Sequence, residues 1–122
     1  MMVVYRLERN GDGPYRFHPT SEIERELKAK LVDAHAFNIQ KPCPFADGLT
    51  FVSKWGIPAV DKKYVCGCLS EEDLIKWFDG FLEEFKSIGF IVSEYKVSKK
   101  NVYIGRSRKQ CMFLKPTEEP LT

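Results

Sequence analysis

Residues 70–89 read SEEDLIKWFDGFLEEFKSIG, and the rest of the chain has to pack around whatever this stretch forms. Ser70 followed by Asp73 is a variant of the capping box, in which side-chain oxygens satisfy amides that a first helical turn leaves unpaired. Glu71, Glu72 and Asp73 add negative charge at the positive end of the helix dipole. Leu74, Phe78, Phe81, Leu82, Phe85 and Ile88 recur at spacings of three and four, with Lys76, Asp79, Glu83, Glu84 and Ser87 on the other side. That is the pattern of a half-buried helix. Gly89 suits the left-handed conformation that ends one. The spacing predicts a single helix from Ser70 to Gly89, with Trp77 on its flank and three phenylalanines facing the core.

Working outward from that helix, residues 64–69, YVCGCL, read as a short strand that delivers the chain into it. Gly67 in the middle of that strand implies a bulge or the close approach of another group. Downstream, residues 90–97, 102–104 and 111–114 read as strands. They are joined by a turn at 98–100 and by the basic turn GRSRK at 105–109. The tail from Lys115 to Thr122 carries two prolines and little apolar content, and a loose end is expected there.

Upstream, Val3, Val4, Tyr5 and Leu7 surround Arg6 and Glu8 in a β-prone run. Alternation puts Val3, Tyr5 and Leu7 on one face, which is expected to meet the core. Arg6 then falls on the opposite face, solvated beside Glu8 or lining a cleft. Asn10 to Pro14 is the densest turn signal in the chain. Its amides could cradle phosphate with Arg6 and Arg16 nearby, although its spacing matches no phosphate-loop signature. Ser21 and Glu24 form a capping box for a second helix that carries Ile23, Leu27, Leu31 and Val32 and ends near Ala36. Glu24 with Lys28, and Glu26 with Lys30, are spaced for ion pairs one turn apart. His35 falls beside the apolar stripe as a packed or capping residue. Residues 37–63 follow no period, yet Phe45, Phe51, Trp55 and Ile57 keep them apolar. A functional loop or a lid is expected there, with Asp47 as its charged group.

The bulk numbers fit these segments. A chain of 122 residues with 43% hydrophobic content makes one domain, spanning residues 1–114 before the tail. Strands clustered late and helices earlier make it α+β: mainly antiparallel sheet packed with two helices and a long irregular loop. A net charge of +2 exerts no global pull on nucleic acid or membrane, but Lys96, Lys99, Lys100, Arg106, Arg108 and Lys109 crowd the C-terminal third. No apolar run approaches the roughly 20 residues that span a bilayer. The opening MMVVYRLE runs into a strand pattern rather than a signal-peptide core, so a cytoplasmic protein is expected. Cys43, Cys66, Cys68 and Cys111 are then read as reduced thiols, mostly buried, and no metal site is assigned. The Cys66 to Cys68 gap of one residue does not match common zinc knuckles.

Several short features carry a resemblance: Tyr5-Arg6 on the first strand, the Gly-Pro turn, Cys66 to Ser70 leading into a helix with Trp77-Phe78, Tyr95-Lys96-Val97, and Gly105 through Gln110 to Phe113. In this order they resemble a set of small phage and prophage accessory proteins. Their layout is in turn similar to the minimal ADP-ribosyltransferase-like fold. That resemblance implies an NAD site in which Arg6 contacts the cofactor, Ser70 occupies the strand-to-helix corner and Gln110 stands at the late catalytic position. The transfer needs an anion to steady the developing oxocarbenium charge, a part for Glu94. Arg16 would assist Arg6 on the pyrophosphate, Tyr5 or Trp55 would stack on a ring, and a host protein would be the target. The alternative is a protein that works by binding alone. Arg106, Arg108 and Lys109, with Lys99, Lys100 and Tyr103, would then contact a host protein or a nucleic-acid backbone.

Overall fold

The computed structural model describes residues 1–35, 49, 51–52, 58–59 and 64–116. The expectations for Cys43, Phe45, Asp47, Trp55, Ile57 and the tail beyond Pro116 lie outside the described residues. The elements are β1 (Met2–Glu8), α1 (Glu22–His35), β2 (Phe51–Val52), β3 (Pro58–Ala59), β4 (Tyr64–Gly67), α2 (Glu71–Trp77), α3 (Leu82–Ser87), β5 (Ile91–Val97), β6 (Val102–Ile104) and β7 (Cys111–Leu114). All strand pairing is antiparallel: β1 with β5, the short pair β2 with β3, and a three-stranded sheet in the order β4-β7-β6. The fold is α+β, as its sequence pattern implies.

β1 is the element on which the parts meet. One edge pairs with β5 along its whole length. The other edge reaches the end of β4, where Tyr5 and Cys68 exchange backbone hydrogen bonds of 2.8 and 2.7 Å. One face of β1 looks to a helical core of Leu7, Phe17, Leu27, Leu31, Cys68, Leu74, Trp77, Phe78, Phe85 and Phe90. Its other face carries Val4 into a second core with Tyr95, Val97, Cys111 and Phe113. Both faces are therefore covered. This overturns the expected solvated or cleft-lining position of Arg6, since Arg6 is 8% exposed and Glu8 5%. Alternation identifies the apolar face correctly for Tyr5 and Leu7, but it cannot tell that a second sheet covers the polar one.

The central helix is also corrected. It is two helices, with a turn from Phe78 to Phe81 between them. Gly80 sits at φ +86°, and Phe81 and Leu82 both donate to the Phe78 carbonyl. Glycine is the poorest helix former after proline, and Asp-Gly is a turn signal, so the interruption falls where backbone propensity is lowest. Trp77, three residues after buried Leu74, is 7% exposed rather than flanking. The ends behave as expected: Ser70 Oγ accepts from the Asp73 amide at 3.0 Å, and Gly89 adopts φ +101°.

α1 starts at its Ser21 cap, whose hydroxyl accepts from the Glu24 amide at 3.2 Å. Leu27 and Leu31 are buried, whereas Ile23 is 73% exposed. The Glu24 carboxylate takes Arg9 at 2.8 Å instead of Lys28, whose ammonium donates to the Phe17 carbonyl at 2.9 Å. A tertiary arginine outcompetes the neighbour one turn away because it arrives braced. Its guanidinium also donates to the Ile88 carbonyl and lies over the rings of Phe17 and Phe90.

Candidate functional site

Of the residues implicated in cofactor chemistry, Arg6 has its polar groups engaged inside the fold. Arg6 donates through Nε to Glu8 at 3.0 Å, through Nη1 to the Cys66 carbonyl at 2.7 Å and through Nη2 to the Gly11 carbonyl at 3.3 Å. Gly13 sits directly against the guanidinium, so that a Cβ there would lie 3.3 Å from it. Glu8 accepts in addition from the Tyr95 hydroxyl, and Lys115 approaches it to 3.5 Å. Burial alone would raise the Glu8 carboxyl. The Tyr95 hydroxyl, the nearby Ser93 hydroxyl, Lys115 and Arg6 together outweigh it, and the pKa is lowered. Ser93 does this by proximity, short of full hydrogen-bond geometry. Burial and the Glu8 contact push the Tyr95 phenol up.

Tyr5 packs half-buried against the helical core and is the cross-strand partner of Glu94, which is half-buried on β5. Arg16 is exposed just beyond the turn, its amide donating to the Gly13 carbonyl. That turn is a tight hairpin with Asn10 at φ +53° and Gly11 at φ +85°, closed by reciprocal bonds between Arg9 and Asp12. Both central residues are left-handed, the geometry that favours Asn-Gly. Gln110 is 4% exposed at the entry to β7, its carbonyl accepting from the Gly105 amide. An open depression of about 430 Å³ lies against the Arg9 to Asp12 turn, lined by Arg9, Asn10, Asp12, Phe17, His18 and Thr20. It shares no residue with Arg6, Tyr5, Arg16, Ser70, Glu94 or Gln110.

Ser70 has a structural task in full view, so its replacement separates two roles. Ser70→Ala is expected to cost about 1 kcal/mol, the usual value of a lost N-cap. Urea unfolding measures it. A loss under a few tenths would mean that the cap is redundant.

Among the described residues, no group of three or more His, Cys, Asp or Glu side chains could hold an ion. Cys68 and Cys111 are buried free thiols and Cys66 is half-buried. Burial pushes the thiol pKa of all three up, Cys111 to about 12, which makes them poor nucleophiles. His35 packs among Trp77, Phe78 and Phe81 and shares a hydrogen bond with Tyr15, whose hydroxyl accepts from Trp77 Nε1 at 2.9 Å. The packed reading of His35 holds.

The basic residues are arranged differently. Arg106, Arg108 and Lys109 are exposed on the turn between β6 and β7, held by bonds between Gly105 and Gln110 and from Arg108 back to Gly105. Arg108 adopts φ +59°, a left-handed position that a side chain seldom takes. Lys99 and Lys100 are exposed on the 3₁₀ turn that precedes β6. The cations thus flank both ends of a three-residue strand, itself about 10 Å long at the usual rise per residue. Among the described residues, Lys99, Lys100, Arg106 and Arg108 form no ion pair. From Tyr95 to Pro116 the chain contains no Asp or Glu at all. Between the two turns stands Tyr103, 44% exposed, its ring edge-on to Tyr64 with centroids 5.4 Å apart.

Fold and surface together define a small α+β protein whose most distinctive exposed chemistry is a basic sheet edge. The chain belongs to the bacteriophage T4 Y00F protein family, whose model matches residues 2–121. Neither the search of curated proteins nor that of solved structures returns a match. The family match bears out the phage part of the resemblance, and nothing in these comparisons indicates a transferase layout. No helix among the described residues is long and apolar enough to cross a membrane.

Proposed function

We propose that this phage protein acts by binding, without catalysis, and that the phosphate backbone of nucleic acid is what its basic edge takes up. The observation that carries this is the set of exposed cations at both ends of β6, of which Lys99, Lys100, Arg106 and Arg108 form no ion pair among the described residues, in a stretch free of acidic residues. Clustered Lys and Arg without acidic partners are the electrostatic footprint of a phosphate contact. An NAD-dependent transferase has less support. Arg6 would have to leave Glu8, Cys66 and Gly11 to hold pyrophosphate, and Gln110 is buried with no carboxylate of its own.

The test is fluorescence anisotropy with labelled 30-nucleotide probes, single-stranded and duplex, across a salt series. Micromolar affinity at 50 mM salt is expected to fall steeply by 200 mM, as counterion release requires. The double variant Arg106→Ala, Arg108→Ala is expected to flatten the slope of log K against log salt by about 1.5, from roughly 0.7–0.9 per phosphate contact. Absence of binding at 50 mM salt, or a slope that the double variant leaves unchanged, would remove nucleic acid and leave a host protein as the partner class.

A further inference from the structure

We infer that Arg108 is the principal phosphate contact of the basic edge, an inference that rests on the binding function proposed above. Two non-glycine residues among the described ones have positive φ, Asn10 at +53° and Arg108 at +59°. Asparagine suits that conformation, because its short side chain hydrogen-bonds locally. Arginine has no such compensation: its Cβ crowds the following carbonyl oxygen, and glycine is the ordinary occupant of such a position. One turn of this chain therefore meets the left-handed requirement with Asn10-Gly11, and the other meets it with a long cationic side chain.

Among the described residues, nothing inside the fold offsets that cost. Arg108 is exposed, and its side chain makes no ion pair or hydrogen bond with any described residue. Arg6 and Arg9, by contrast, each hold a carboxylate and a backbone carbonyl. The backbone under Arg108 is nevertheless pinned. Its amide donates to the Gly105 carbonyl at 2.9 Å, the Lys109 amide donates to Ser107 Oγ at 3.2 Å, and the Gly105 amide closes the turn on the Gln110 carbonyl at 3.0 Å. Gly105 and Gln110 are buried, so the turn is anchored at its base. Backbone strain of this kind gathers where a side chain has to be presented to a partner. A guanidinium offers paired N–H donors that match phosphate oxygens, and a fixed Cα lowers the ordering cost of the contact. Arg106 carries the same charge two residues earlier, outside the left-handed region.

Arg106→Gly and Arg108→Gly test this in the full chain, since both remove one arginine and add the same freedom to the unfolded state. Arg108→Gly, relieved of its left-handed strain, is expected to melt about 4 °C or more above Arg106→Gly. Affinity is measured by anisotropy with the labelled 30-nucleotide single strand at 50 mM salt. Arg108→Gly is expected to weaken binding about tenfold, as loss of a charge-assisted paired contact should. Arg106→Gly is expected to weaken it only about two- to threefold, as loss of a loosely held charge should. An affinity loss in Arg108→Gly no larger than in Arg106→Gly, or a melting temperature no higher, would overturn the role of Arg108 while leaving phosphate binding in place. Absence of binding by the wild type would overturn both.

Discussion

Glu8→Ala is expected to destabilise the protein by about 3–5 kcal/mol, lowering its melting temperature by on the order of 10–20 °C for a domain of this size. The reason is what it leaves behind. Arg6 would keep its hydrogen bonds to the Cys66 and Gly11 carbonyls but lose the only carboxylate it meets among the described residues, in a site where it is 8% exposed. A buried charge without its counterion is far more costly than the intact pair is favourable. Arg6→Met alone should cost less, because the Glu8 carboxylate would keep Tyr95 and Lys115 as its partners. The double variant Arg6→Met, Glu8→Ala should lose much less than the sum of the two single losses, which is the signature of direct coupling. Chemical unfolding of the four proteins closes the cycle. Single variants within about 1 kcal/mol of the wild type would show that the pair is worth no more than a surface one.

The same carboxylate sets a pH dependence. Its folded pKa is lowered, so its contribution is fully present above the unfolded value of about 4.3 and is lost as pH falls through the folded pKa. Stability should therefore drop below about pH 4.5, and Glu8→Gln should remove that part of the drop. An acid limb of the same steepness in Glu8→Gln would assign it to other carboxylates.

Arg6 also shows where the sequence stops being readable. Alternation in β1 separates two faces correctly, but whether the polar face meets water depends on Tyr95 and Lys115, which arrive from 87 and 107 residues further along the chain. No local pattern encodes that meeting. The helix break is a different case: Asp79-Gly80 is a local turn signal inside an otherwise unbroken apolar period, and the period hides it. Arg9 left no trace, since nothing in RLERNG marks an arginine that will bridge α1 and the end of α3. Features closed within one turn were legible throughout: the Ser21 and Ser70 caps, the Asn-Gly hairpin and the Gly89 terminus. The basic edge stands between these cases. Its charges are a local run in the sequence, but their position on either side of Tyr103 follows from sheet order.

Gly67→Ala is expected to cost about 3 kcal/mol or more, near the upper end of what overpacking a core causes. A strand ordinarily gains from a β-branched residue, so a glycine here needs a reason. The reason is space: a Cβ at Gly67 would lie 2.6 Å from Val4 Cγ1, 2.9 Å from Phe113 Cε1 and 2.9 Å from the Tyr5 carbonyl oxygen. Side chains can yield, and Val4→Ala in the Gly67→Ala background should recover part of the loss. Tyr5 cannot yield in the same way. Its carbonyl accepts from the Cys68 amide at 2.7 Å, and moving it would open the bridge between β1 and β4. Compensation should therefore stay incomplete, with the double variant still about 1–2 kcal/mol below Val4→Ala alone. Urea midpoints of the four proteins measure this. Full recovery would place the conflict with Val4 alone. Incomplete recovery would mean that the contacts left in place, Phe113 and the Tyr5 carbonyl, also require glycine.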